Sequence, residues 1–413
     1  MRKYIRVILL FLIVVLSAGG YKEASAVENN SVAITKENFP DKRIREKISK
    51  EFDKNKDMIL SEEEIKAANK LDLGESYFWE KGTFNLQGIS KLKYVTTLTV
   101  GADIIKNISE IQKMTQLVVL KVSPLRGNTD MLDFSKNVNL KELEVYADIK
   151  KLRLPKSKNL QSLSLEACKI RELTLNGFVN LRKVKLETND FKTFTITNCP
   201  KLEKISSTEN EKIEKVILKK LPKLECLKIG SSKKFKKLKL PRLPEMRELV
   251  LGRNSIKKID FKKMPNLRIL SVKRNNKITK LDLRPLRKLH EFTWQRGKLR
   301  KIRFGQKKNL EHMYLQHNRL GGTWKLSKFP RLDEFYCNYN RIKNIYARNH
   351  EYLDVIECGY NRLRKLDLYN IEPTIIWFKG NPHVTAYLLH DSSSHNVYYR
   401  FDKSAKVHYK WKD

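Results

Sequence analysis

The chain has 413 residues, of which 85 are Lys or Arg and 46 are Asp or Glu, a formal net charge of +39. Apolar residues make up 40%, enough for a core, which excludes a wholly disordered chain. A chain this basic calls for an anionic partner, and the compartment decides which anions it meets.

Met1–Ala26 opens with MRKYIR, continues through the apolar run Val7–Leu16 and ends in Ala24-Ser25-Ala26. That order of charged, apolar and small residues predicts a secretory signal peptide over residues 1–26. The run is too short for a bilayer span, which needs about 20 residues. A retained anchor is the alternative. Export directs the charge toward wall polymers, acidic glycans and acidic proteins rather than nucleic acid. No later apolar segment is long enough to span, so a monomer with no transmembrane segment is expected after leader removal.

Residues 27–88 read as a small helical cap. Ile44, Ile48 and Phe52 recur at helical spacing within Asp41–Phe52. Asp53, Asn55, Asp57, Ser61 and Glu64 then fall at positions 1, 3, 5, 9 and 12 of a loop, with the Ile59 carbonyl at position 7. Those are the oxygen donors that calcium needs. Ser61 also opens the next helix as its N-cap. The sixth position is Met58, where such a loop wants glycine for a left-handed turn. Two readings stay open: a calcium loop, or a metal-free helix pair that only covers the core.

From Val95 onward the pattern L-x-x-L-x-L-x-x-N-x-I-x-x-L-x-L recurs. Met246–Phe261 and Leu267–Leu283 are clear units, and others start at Leu140, Leu160, Leu181, Leu202, Leu224, Leu289, Leu310, Leu332 and Leu353. A spacing of about 20–22 residues is that of leucine-rich repeats. The L-x-L pair puts two side chains on one strand face, which one coil cannot bury alone, so coils stack on a shared core. The ninth position sits at a turn, where a short polar side chain can satisfy backbone groups. It carries Asn189, Asn210, Asn254, Asn275, Asn318, Asn340, Asn361 and Asn381, with Ser232 and Gly297 as departures expected to loosen their turns. The predicted fold is an α/β-type repeat solenoid over residues 89–384, about 13 coils, mainly β, with short parallel strands on concave and convex sides. Residues 385–413 read as a C-terminal cap, in which Val397–Phe401 and Val407–Trp411 alternate and predict a β-hairpin.

These repeats, with the segments Ile34–Asp41 and Phe52–Glu64 before them, resemble the internalin-like secreted leucine-rich-repeat proteins of Gram-positive bacteria and their EF-hand-like N-terminal cap. The resemblance covers about Ile34 to Val384 and implies adhesion or host interaction rather than catalysis.

Stacking turns equivalent positions into columns about 5 Å apart. Between the strand leucines, the last coils carry Ser271, Thr293, Tyr314, Tyr336, Glu357 and Trp377. Just after the strand come Arg253, Arg274, Arg296, His317, Tyr339 and Tyr360, and one turn on Arg319, Arg341 and Arg362. Stacked arginines repel one another without an anion, and Arg engages carboxylate, sulfate or phosphate through two donors. Exposed Tyr and Trp add rigid contact area. This face is the expected binding site for an acidic protein or anionic glycan. The alternative is a solvated face whose rings cover gaps between coils. On the outer side Lys150-Lys151, Lys236-Lys237, Lys257-Lys258, Arg300-Lys301 and Arg364-Lys365 form a basic stripe suited to an anionic wall polymer.

Motifs for an enzyme are missing: there is no G-x-S-x-G, H-E-x-x-H or P-loop. Glu291, His312 and Glu334 share a column and could hold zinc, although a hydrogen-bonded surface histidine is the plainer reading. The five cysteines lack paired spacing, and only Cys337–Cys358 is placed for a bridge between coils.

Overall fold

The structure is a computed structural model and describes residues 30–74, 82–125, 130–156, 158–230, 232–390 and 397–411. The expected leader, residues 1–26, lies outside them. Helix α1, Lys42–Phe52, is capped by the Asp41 side chain and buries Ile44, Ile48 and Phe52. Helix α2, Glu62–Ala67, starts at Ser61 in a capping box with Glu64. Val32–Ala33 and Ile59–Leu60 form a short antiparallel pair beside these helices.

The chain then winds into a solenoid around one continuous apolar core that runs from Ile34 to Leu388. Among the described residues its long sheet has 16 strands in strict sequence order, from Lys70–Leu73 to Tyr398–Arg400. Every neighbouring pair in it is parallel. The strand leucines point inward, as Leu249, Leu251 and Leu270 show with no exposure. Shorter parallel sheets form the opposite, outer side; the largest holds five strands, from Gly321–Lys325 to Lys406–Trp411. The fold is therefore the predicted leucine-rich-repeat solenoid with strands on both sides and few helices.

The ladder position does what its chemistry predicts. Asn189 donates to Leu165 O at 2.9 Å in the preceding coil, while its Oδ1 accepts from Cys168 N at 2.8 Å. Asn340 repeats this with Leu315 O and Leu320 N. Each such side chain closes an inward turn that water cannot reach.

Three expectations need correction. First, the long sheet begins inside the segment assigned to the cap, because Lys70-Leu71-Asp72-Leu73 already carries the L-x-L alternation and pairs with Thr97–Val100. With 16 strands the solenoid also exceeds about 13 coils. Second, the C-terminal hairpin does not form. Tyr398–Arg400 joins the long sheet and Lys406–Trp411 the outer sheet, both parallel to the preceding coil. The cause is Asp402, which accepts from Gly380 N at 2.7 Å and Asn381 N at 2.9 Å and so acts as one more ladder residue. Third, Gly297 does not loosen its turn. A Cβ there would meet Asn318 Oδ1 at 2.7 Å and Trp294 Nε1 at 2.8 Å. The glycine makes room for the fully buried Trp294 ring.

Lys307 is a buried cation that the repeat pattern does not announce. It is fully buried, donates to the carbonyls of Leu283 and Gln306, and desolvation lowers its pKa to about 8.

Candidate functional site

The long-sheet face of the later coils is built by register. Ser271 pairs with Thr293, Thr293 with Tyr314, Tyr314 with Tyr336, Tyr336 with Glu357 and Glu357 with Trp377. The Tyr314 and Tyr336 rings stack at 5.2 Å. Trp377 is covered by the Arg400 guanidinium at 5.1 Å. Burial, then the hydroxyl bond to Glu334, pushes the Tyr314 phenol well above its ordinary value. Glu357 lies among these rings with its pKa raised by burial, opposed by a bond from Asn338 Nδ2 at 2.6 Å. Asn338 was invisible to the repeat pattern, since it occupies a position with no consensus.

The next column is equally regular. Arg253 N donates to Lys273 O, Arg274 N to Gln295 O, Arg296 N to Gln316 O, His317 N to Asn338 O, Tyr339 N to Gly359 O and Tyr360 N to Lys379 O. All six have left-handed backbones, with φ between 41° and 58°. For residues other than glycine that conformation is uncommon. It swings each side chain out of the strand plane at the same place in every coil. Arg253, Arg274, Arg296, His317, Tyr339 and Tyr360 are all exposed. The rings of His317, Tyr339 and Tyr360 stack in one pile, with centroids 4.4 and 4.5 Å apart and planes within 6°. Among the described residues the three arginines form no ion pair. Burial first, and Arg296 second, lowers the His317 pKa. A signal for this backbone was present in the sequence: the same column holds Gly380 one coil later, also left-handed.

The other expected sites are arranged differently. Glu291, His312 and Glu334 are in register, but His312 Nδ1 lies 3.7 Å from Glu334 and Glu334 is engaged by Tyr314. Among the described residues no three His, Cys, Asp or Glu side chains converge as a metal ion requires. All five cysteines are free thiols, and burial raises the pKa of Cys337 and Cys358.

In the cap loop, Met58 has φ 64°, so the sixth position adopts the turn despite its side chain. Asp57 Oδ1 accepts from Ile59 N and Asn55 Oδ1 from Asp57 N. Glu64 is drawn to Lys54 N and to Ser61. Asp53 is 3% exposed; its Oδ2 accepts from Met58 N, and its Oδ1 has no partner among the described residues. That buried, unsatisfied oxygen fits a cation. The side-chain oxygens of Asn55, Asp57, Ser61 and Glu64 are occupied by bonds within the loop.

Comparison with known proteins agrees with this architecture. Residues 244–287 match the family described as leucine rich repeats (2 copies). No curated protein matches. The LRIM1/APL1C complex structure is similar with a TM-score of 0.56 and 15% identity, over 79% of this chain and 62% of that one. An internalin, InlF, from Listeria monocytogenes is 19% identical over 75% of this chain and 93% of its own, with a TM-score of 0.42. The functional domain of InlJ from Listeria monocytogenes is 15% identical over 82% of this chain and 84% of its own, with a TM-score of 0.44. With its coils in register along one core, the chain folds as a leucine-rich-repeat solenoid.

Proposed function

We propose that this protein is a secreted or cell-surface binding scaffold whose long-sheet face recognises an acidic protein or acidic glycan, in adhesion or host contact. One observation carries the reading: Arg253, Arg274 and Arg296, without an ion pair among the described residues, run into the stacked rings of His317, Tyr339 and Tyr360 along one exposed column. Arg supplies paired donors to carboxylate or sulfate, and the ring pile supplies a rigid apolar surface with little entropy to lose. The test is capture from an array of acidic glycans and surface proteins. The double variant Tyr336→Ala with Arg296→Ala should lose capture while keeping its melting temperature. Undiminished capture by the folded double variant would reject the site.

A second reading, retention on anionic wall polymers, is favoured by the exposure of Lys236, Lys237, Lys257, Lys258, Arg300 and Lys301 on the outer side. Molar salt should then release the protein from cells, and changes to the long-sheet face should not.

For the cap, the unpartnered Asp53 Oδ1 supports calcium as a ligand of Asp53, Asn55, Asp57, the Ile59 carbonyl, Ser61 and Glu64. Calcium should raise the melting temperature of the wild-type chain and leave Asp53→Asn unchanged. An equal response from both chains would remove the proposal.

A further inference from the structure

The outer side is interrupted beside one strand. Lys215–Lys219 pairs with Thr193–Thr197 and ends its three-stranded sheet. Among the described residues no outer strand follows until Lys280–Asp282. Lys215 N donates back to Lys192 O, and Lys219 O accepts from Asn198 N. A parallel ladder alternates direction residue by residue. The N–H and C=O groups of Val216 and Leu218 therefore point the other way, into the gap.

The sequence explains why the next coil does not fill it. The offset that pairs Lys204 with Cys226 would set Lys215 beside Lys237 and Lys219 beside Pro241. Facing lysines alone do not prevent pairing, since Lys183 pairs with Lys204 and Lys280 with Lys301; the proline does. Pro241 lacks an N–H and restrains Leu240 before it. The two segments instead border a cleft of about 990 Å³, lined by Val216, Ile217, Leu218 and Leu240. Around it stand Lys215, Lys219, Lys234, Lys236, Lys237 and Lys239, against one carboxylate, Glu214. Glu214 is held by Lys234 at 3.6 Å. Among the described residues the other five lysines make no ion pair.

An open strand edge, an apolar lining and an unneutralised basic border occur together here. Lysines on an edge repel a second copy of the same edge, the usual protection against self-association. They do not repel an acidic chain. We propose that this cleft binds an extended acidic segment of another protein, which adds as a strand to Lys215–Lys219. Alternate side chains of that segment would enter the cleft, and those between would meet the lysines. The site shares no residue with the long-sheet columns and does not depend on them.

The test uses the full-length chain and a fluorescein-labelled peptide, Val-Glu-Val-Glu-Val-Glu, with binding read by anisotropy. Methylating alternate backbone nitrogens of the peptide keeps its charge but removes one pairing edge. The expected result is saturable binding that this methylation weakens about tenfold or more. The double variant Lys237→Glu with Lys239→Glu should weaken it by a similar factor while its circular dichroism stays unchanged. Tyr336→Ala with Arg296→Ala should bind the peptide as wild type does. Equal binding of the methylated peptide, equally good competition by polyglutamate, or no binding at all would each overturn the proposal. The methylation arm leaves the protein untouched, so its outcome cannot come from misfolding.

Discussion

The two halves of the long sheet share one backbone plan and differ in how their exposed columns settle their charge. In the earlier coils the column between the strand leucines holds Lys121, Glu144, Lys185 and Lys228. Lys121 meets Glu144 at 3.2 Å, Lys185 meets Glu187 at 3.0 Å, and Lys228 meets Glu248 at 2.8 Å. In the later coils Arg253, Arg274 and Arg296, in the column just after the strand, form no ion pair among the described residues, and the rings of His317, Tyr339 and Tyr360 stack on one another. Exposed pairs of the first kind contribute about 0–1 kcal/mol each, so the early half is electrostatically quiet. The later half leaves its positive charge uncompensated beside a rigid aromatic surface. The contrast teaches that the repeat supplies a frame, and that local column chemistry decides which stretch of it is available to a partner.

The contrast can be broken or sharpened in four ways. The largest effect is expected from Asn340→Leu, which leaves Leu320 N buried without its partner and takes one of two amide donors from each of the carbonyls of Leu315 and Cys337, which keep Asn318 and Asn361. Denaturant unfolding should show a loss of about 3 kcal/mol or more, and the Tyr336 and Tyr339 columns should lose their register with it. A midpoint equal to wild type would mean that the ladder is not what aligns the later half.

Gly297→Ala should come next, at about 1–3 kcal/mol, because the added methyl meets Asn318 and Trp294. Tryptophan fluorescence should report the displaced indole. An unchanged spectrum and melting curve would show that the turn has slack after all.

A smaller effect, in binding rather than stability, should separate the halves directly. Arg274→Ala with Arg296→Ala should weaken capture of a sulfated glycan about tenfold, whereas Lys121→Ala with Lys185→Ala should change it little. Equal losses would replace a localised site by diffuse attraction.

The smallest effect is a titration. The folded-state pKa of His317 lies below the 6.5 of a free imidazole, through burial and the nearby Arg296. Between those values the unfolded chain holds more protons than the folded one, so stability rises with pH there. This contribution is complete above pH 6.5 and is lost as pH falls through the folded pKa. Resonance titration of His317 should show its midpoint move up in Arg296→Ala. An unmoved midpoint would mean that Arg296 does not act on the ring.

Much of this is legible in the sequence. The two-residue alternation of Leu249 and Leu251 and the recurring asparagines give coils, inward faces and columns, because burial and backbone satisfaction act at fixed spacings. Arg253, Arg274 and Arg296 could be placed side by side on that ground alone. The C-terminal segment departs from the expected hairpin because alternation marks a strand without naming its partner. Asp402 lies 21 residues after Asn381, the repeat spacing, and that was the available clue. Lys307 and Asn338 left no clue, since their positions have no consensus and their roles depend on carbonyls and amides from other coils.

The amino-acid order alone determined that this chain winds into stacked coils, which side chains enter the core, and which ones recur along each exposed column, because those follow from periodic burial of leucine. Only the tertiary structure decided that the rings of His317, Tyr339 and Tyr360 pile face to face, that Gly297 is a tight turn, and that Lys215–Lys219 ends an outer sheet. Those outcomes rest on contacts between neighbouring coils, where a left-handed backbone, a buried indole or a proline without an N–H tips the local arrangement. A single repeat has no record of what its neighbour will press against it.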